Sequence, residues 1–248
     1  MKKVFAFLLA FLLIFSLIGC KEDAVLGEVK THPVDSSIHS LNIQINAADF
    51  KIVPAEDFSV ESNLKYLTVS EEDGVLSIVE NAHSGATYAN AMLTLYVPKD
   101  IIFESVSITT GAAKLTADAL IAQRLKLQLG AGDVHIGQLV ASSQADIQGG
   151  AGKITVDRGS FTNLKLEMGV GELNLVTKLL GVCDLTLGVG ESNLTFLGSK
   201  DDYCINIEKG LGSIFVDGAL LDELDGSGLG LHRINIQCGV GATNITFQ

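Results

Sequence analysis

Tryptophan is absent from the 248 residues and tyrosine occurs only four times, so the chain offers poor aromatic platforms for stacking sugars. Arginine is confined to Arg124, Arg158 and Arg233, which lie far apart. A polysaccharide lyase or hydrolase needs clustered carboxylates, often with a base to stabilise developing charge, in a groove walled by long loops. Neither the arginines nor the short connections between strands supply one. The five histidines, His32, His39, His83, His135 and His232, show no metal-ligand spacing, and no metal or cofactor is expected. Bases are the minority charge, 17 against 29 acids, for a net −12. That balance repels phosphate backbones and excludes nucleic acid as a partner.

Long apolar runs are also missing, with one exception. Val4 to Phe15 is unbroken, follows Lys2 and Lys3, and is too short for a comfortable bilayer crossing, so residues 1–19 read as a cleaved signal. Its end, Leu17-Ile18-Gly19-Cys20, resembles the lipobox of bacterial lipoproteins, which implies cleavage before Cys20 and acylation of that cysteine. Removing the two lysines leaves 15 bases against 29 acids, a formal charge of −14 for the mature chain. The lipid would hold the protein at the extracytoplasmic side of the cell membrane while its charge keeps the body off an anionic surface. Residues 20–37, polar and without sustained periodicity, read as the lipidated cysteine and a tether.

Glycine is what the chain has in quantity. Beginning at Gly111-Ala-Ala, a Gly-x-Gly corner recurs as Gly130-Ala-Gly132, Gly150-Ala-Gly152, Gly169-Val-Gly171, Gly188-Val-Gly190, Gly210-Leu-Gly212 and Gly239-Val-Gly241. The first glycines are 19, 20, 19, 19, 22 and 29 residues apart. A period near twenty predicts an all-β, parallel β-solenoid in which each repeat is one coil.

Alignment on the first glycine exposes columns. Three residues before it stand Ile108, Leu127, Ile147, Leu166, Leu185, Ile207 and Ile236; five before stand Val106, Leu125, Ala145, Leu164, Cys183, Ile205 and Ile234. Six after stand Ala117, Ile136, Val156, Leu175, Leu194, Val216 and Ile245. Shared strand parity sends these columns into one narrow core. The intervening columns are polar. Four before the glycine run Ser107, Lys126, Asp146, Lys165, Asp184, Asn206 and Asn235, and three after it run Lys114, Asp133, Lys153, Glu172, Glu191, Ser213 and Ala242. Stacked ~4.8 Å apart, alternating charges would help set register, and Asn174 with Asn193 would form an amide ladder. A bend in every coil needs positive φ or close approach of stacked backbones, which explains the glycines structurally.

Residues 106–248 are therefore read as the regular solenoid, and 38–105 as an N-terminal β section. Leu41 to Ile52 superimposes on Leu125 to Ile136, with Asn46 in place of the corner glycine as a residue tolerant of positive φ. After Pro54 the period is lost, but strands continue around an Asp73-Gly74 hairpin turn, forming an irregular β layer that covers the end of the stack. Residues 217–231 are an insertion, either hairpin or short helix with loop, and no cap follows the strand before Gln248.

Cys183 and Cys238 fall on the inward parity and Cys204 on the outward one, with axial offsets of roughly 13–17 Å against the ~7 Å limit for a bridge, so no disulfide is expected. The glycines do not make a nucleotide site: Ile154 stands where a phosphate-binding loop requires Ser or Thr after Lys153. Calcium-binding nonapeptides would need an acid two positions beyond Gly152 and a nine-residue period. Glu172 and Glu191, with Glu167 and Glu208 nearby, read as solvated carboxylates, with a shared surface cation as the alternative.

The N-terminal alternating coil, the Tyr96-Val97-Pro98 strand end followed by Phe103-x-x-Val106-x-Ile108, and the Gly-x-Gly repeats resemble the bacterial "putative adhesin" family of β-strand-repeat domains of unknown function. The resemblance covers roughly Ser37 to Phe247 and carries no catalytic residues. It implies a non-enzymatic, lipid-anchored surface protein presenting an acidic polar face to an envelope or extracellular protein or polysaccharide. Two alternatives fit the same sequence: an accessory of an envelope-stress sensing system, and a carbohydrate-active β-helix enzyme.

Overall fold

The computed structural model describes residues 26–35, 37–81, 89–221 and 224–248. The signal segment, Cys20 and His83 lie outside them. Sixteen strands form one continuous sheet wound into a solenoid, with no α-helix among the described residues. The chain runs through β1 (Leu26–Pro33), β2 (Ser40–Ile45), β3 (Asp49–Ala55), β4 (Ser59–Leu64), β5 (Leu67–Glu72), β6 (Val75–Glu80), β7 (Met92–Pro98) and β8 (Phe103–Ala112). It continues as β9 (Lys114–Thr162), β10 (Leu164–Leu180), β11 (Val182–Phe196), β12 (Tyr203–Glu208), β13 (Leu211–Val216), β14 (Ala219–Leu221), β15 (Leu224–Ser227) and β16 (His232–Phe247).

All three apolar columns are buried along their whole length; only Ile207 and Val216 rise above 5% exposure. A third inward segment in each coil escapes the sequence reading. Leu120 and Ala122, Leu139 and Ala141, and then Phe161 and Leu179 are also buried, and Leu179 stacks on Phe161 in register. Each of these runs places only one or two apolar side chains inward, too few for a period-2 signal.

The middle coils stack in sequence order: β9 on β8, β10 on β9, β11 on β10, all parallel. Beyond Phe196 that order breaks. β16 pairs with β11 from Val182↔Arg233 to Phe196↔Phe247, while its opposite edge pairs with β12 and β13. The corner of Gly239 therefore lies directly on that of Gly188, and Gly210 lies outside both. This corrects the sequence-ordered columns, which set Asn206 next to Asp184; the neighbour of Asp184 is Asn235. The 22-residue spacing from Gly188 to Gly210 provides the extra chain, including a 3-10 turn at Lys200–Asp202, needed to skip one level.

The other end is built the same way. β2 and β3 form a coil packed on β8 and β9, and β6 and β7 form a more distal one. Both ends then finish in antiparallel strands. β5 pairs with β6, β4 with β7 and β1 with β4 at one end; β14 pairs with β13 and β15 with β12 at the other. The last two place strands rather than a helix in the described part of the 217–231 insertion and supply the cap that the sequence did not reveal. Antiparallel partners thus cover the outer edges of β6, β7, β12 and β13, which limits the parallel edge free to template further stacking. β1 falls within the segment read as a tether. It is solvent-exposed along most of its length, so it has no alternation to read and is held by its ladder to β4.

Local chemistry explains the turns. The Asp73-Gly74 dipeptide adopts φ 49° and 72° between paired Glu72 and Val75, the two-residue loop expected for that sequence. Asn46 is not in the left-handed region, which corrects the reason given for it. At first corner positions close approach decides, and β6 stops pairing with β2 at Gln44, leaving room for a side chain at 46. The backbone N–H of Asn46 donates to Glu80 Oε2 at 2.8 Å.

Candidate interaction surface

The corner has two kinds of glycine. A Cβ on the first, such as Gly188, would be driven into the carbonyl oxygens of Gly169 and Met168 in the coil beneath. The third, such as Gly171 at φ 140°, combines the same close approach with a left-handed backbone. The corner glycines thus stack backbone on backbone from Gly111 to Gly210, and the pattern presents no phosphate-binding loop.

The residue between them faces solvent. Ala112 pairs with Ala131, Ala151 follows where Gly150 and Gly152 stack on Gly130 and Gly132, and Val170, Val189, Val240 and Leu211 continue the row in register. Val170, Val189, Val240 and Leu211 are 55, 49, 47 and 78% exposed. The sequence reading treated this position only as part of a bend; the signal was the growth from Ala to Val to Leu in one column.

On either side of this row lie polar columns. Past the corner, Asn244 Nδ2 donates to Asn193 Oδ1 at 2.7 Å and Asn193 Nδ2 donates to Asn174 Oδ1 at 3.0 Å. Asn174 Nδ2 then donates to Glu172 Oε1 at 2.7 Å. The expected two-residue amide ladder is thus three residues long, its third member supplied by the out-of-order β16. Lys153 pairs across coils with Glu172 at 2.9 Å. Asn174 first, and Lys153 second, hold the Glu172 carboxyl below its ordinary range. Glu172 does stand beside Glu191 in register, as expected. Replacing Asn193 by Ala removes both ladder bonds and its bond to Glu191; the expected loss is about 1–2 kcal/mol in urea unfolding.

Before the corner the alternating charges behave differently. Lys165 Nζ bonds Glu167 Oε1 of its own strand at 2.7 Å rather than the acids above and below. That hydrogen bond is the main reason its ammonium titrates above the usual range, with Asp146 and Asp184 adding smaller contributions. Farther along, Asn235 donates to Asp184 at 2.7 Å and Gln237 to Glu208 at 2.9 Å. With Thr186 and Asn206 they line a shallow polar groove of about 260 Å³. His135 points outward and pairs with Asp157 at 2.8 Å, both more than half exposed. Asp157 and Arg158 belong to β9.

Cys183, Cys204 and Cys238 are free thiols. Burial raises the pKa of Cys183 and Cys238 above the ordinary thiol value, the reverse of what a nucleophile requires. Among the described residues no three His, Cys, Asp or Glu side chains are placed to hold a metal ion, and no helix is long and apolar enough to cross a membrane.

A family model described as Toastrack DUF4097 matches residues 33–218. The chain belongs to this family. Solved structures similar to this Toastrack chain include a "putative adhesin" from Bacteroides fragilis, 11% identical, covering 90% of this chain and 99% of the other with a TM-score of 0.52. A "putative cell adhesion protein" from Clostridium sporogenes is 15% identical, with 89% and 99% coverage and a TM-score of 0.41. A "putative lipid binding protein" from Parabacteroides distasonis is 17% identical, with 91% and 99% coverage and a TM-score of 0.35. The first shares the fold of this chain. No curated protein sequence matches the chain significantly.

Proposed function

We propose that the protein is a non-enzymatic, lipid-anchored cell-surface scaffold that presents acidic, amide-rich faces to a protein or polysaccharide partner. The observation that carries this reading is the arrangement of polar side chains in rows. Asn174, Asn193 and Asn244 repeat at strand spacing on one side of the corner, and Asp184, Asn235 and Asn206 on the other. Catalysis needs dissimilar groups converging on one reacting atom, held within hydrogen-bond reach of it. Rows of like groups directed outward suit contact with an extended surface. Membership of the Toastrack family and the lipobox-like Leu17-Ile18-Gly19-Cys20 support the location.

Fractionation and crosslinking on intact cells test the proposal. With Cys20 intact the chain is expected in the membrane fraction and crosslinked to an envelope or extracellular component; Cys20→Ala is expected to abolish lipid processing and membrane retention. Unchanged processing and retention in Cys20→Ala would overturn the anchor. Release of products from a panel of envelope and plant polysaccharides by the purified protein would overturn the non-enzymatic reading.

A further inference from the structure

The exposed row at the corners is unlike the rest of the surface. Val170, Val189, Val240 and Leu211 are neighbours in register on four successive coils, with exposures between 47 and 78%. The glycine columns beside them carry no side chains, so the four project as a continuous apolar ridge. Such residues gain nothing for the core, and alanine serves at the same place in the coils of Ala112, Ala131 and Ala151. A contiguous apolar strip rimmed by polar groups marks a site of interaction.

Charge identifies the occupant. Two residues past the ridge stand Glu172 and Glu191, and three residues before it stand Glu167 and Glu208. Lys153 and Lys165 already engage Glu172 and Glu167. Toward the Leu211 end, Glu191 and Glu208 have amide partners instead, Asn193 and Gln237. Lys209, at the outermost coil, is the nearest base in sequence to the ridge there. The whole chain adds a net −12 to this setting.

Spacing identifies its form. Successive ridge residues are ~4.8 Å apart, against ~5.4 Å per turn of an α-helix. Across the three steps from Val170 to Leu211 the mismatch accumulates to under about 2 Å, within the reach of side-chain rotamers. We infer that the ridge of Val170, Val189, Val240 and Leu211 is a docking strip for a cationic amphipathic helical segment of a partner. The apolar stripe of the helix lies along the ridge and its bases reach Glu191 and Glu208. This deepens the reading of the protein as a surface scaffold, and rests on it.

The test uses the full chain and a labelled synthetic helix of about 20 residues, with leucine at i, i+3, i+4 and i+7 positions and lysine elsewhere, titrated by fluorescence anisotropy. Substituting serine at Val170, Val189, Val240 and Leu211 together is expected to weaken binding at least tenfold while leaving the charge unchanged and the chain folded, with its melting temperature lowered by no more than several degrees. Glu191→Gln with Glu208→Gln is expected to weaken it several-fold and to flatten its dependence on salt. Equal binding by the serine variant would show generic attraction to an acidic surface and overturn the assignment. So would equal binding of a glutamate-for-lysine peptide. Ridge-dependent flotation on phosphatidylcholine vesicles, or ridge-dependent self-association in sedimentation, without peptide binding, would assign the strip to lipid or to a second copy and overturn it as well. If the peptide fails while cell-surface crosslinking to a partner succeeds, the ridge assignment falls and the scaffold reading stands.

Discussion

A chain truncated after Leu231 is expected to lose the cooperative unfolding of its C-terminal third. β16 contributes Ile234, Ile236 and Ile245, each 2% exposed or less. Full burial of such side chains is worth about 1.5–3 kcal/mol each, so these three alone rival the ~5–15 kcal/mol that stabilises a typical domain. Two ladders go with them, one to β11 and one to β12 and β13. The truncation also strips Phe247 and His232 from around Tyr203, whose ring packs against Phe196 at 6.2 Å and whose hydroxyl donates to Leu197 O. Tyrosine fluorescence during urea unfolding is the readout, because no tryptophan competes. The expected trace for the truncated chain has a lower midpoint and a broadened or second transition. A single transition at the full-length midpoint would mean that β12 and β13 close directly onto β11, making the intervening strand dispensable.

The second large effect is expected from one methyl group. Gly188→Ala places a Cβ against the carbonyl oxygens of Gly169 and Met168, which are backbone and cannot rotate away. Relief requires the coils to part, which lengthens hydrogen bonds on both sides of the corner; a loss of about 2–4 kcal/mol is expected. The adjacent Val189→Ala, on an exposed side chain, should cost within about 0.5 kcal/mol. Thermal or urea unfolding of this pair of variants distinguishes crowding at the corner from general sensitivity of the bend. Equal losses in both would refute the close-approach account.

These two expectations also show where sequence was sufficient. The period of the glycines, the three apolar columns and the Asp73-Gly74 turn were legible because each depends on local parity or on a single backbone conformation, and each repeats or has one meaning. The path of the chain between coils was not. Every coil presents the same edge to its neighbours, so local chemistry does not tell the corner of Gly188 whether Gly210 or Gly239 should follow it; the spacings of 22 and 29 residues were the only trace. β1 was invisible because nearly all of it is exposed, with only Leu26 packing partly against the core, so neither face shows an alternation. At the candidate surface, the polar rows were read from their residue types, and one ladder gained Asn244 only through the exchanged order. The ridge went unread because glycine drew attention to the backbone, whereas the side chain between the glycines meets solvent.

The exchanged order has a temporal consequence. Chains emerge from their N-terminal end, and domains generally fold in the order in which they appear. A solenoid with coils stacked in sequence order can grow by adding each coil to the one before it. Here β12 to β15 emerge before β16, yet the level they finally rest on is the one β16 occupies. That level stays vacant, or temporarily filled by β12 and β13 in a competing register, until residues 232–247 have appeared. The second half of the molecule is therefore completed as an insertion after synthesis or export of those residues. The slowest folding step should be the opening of that slot.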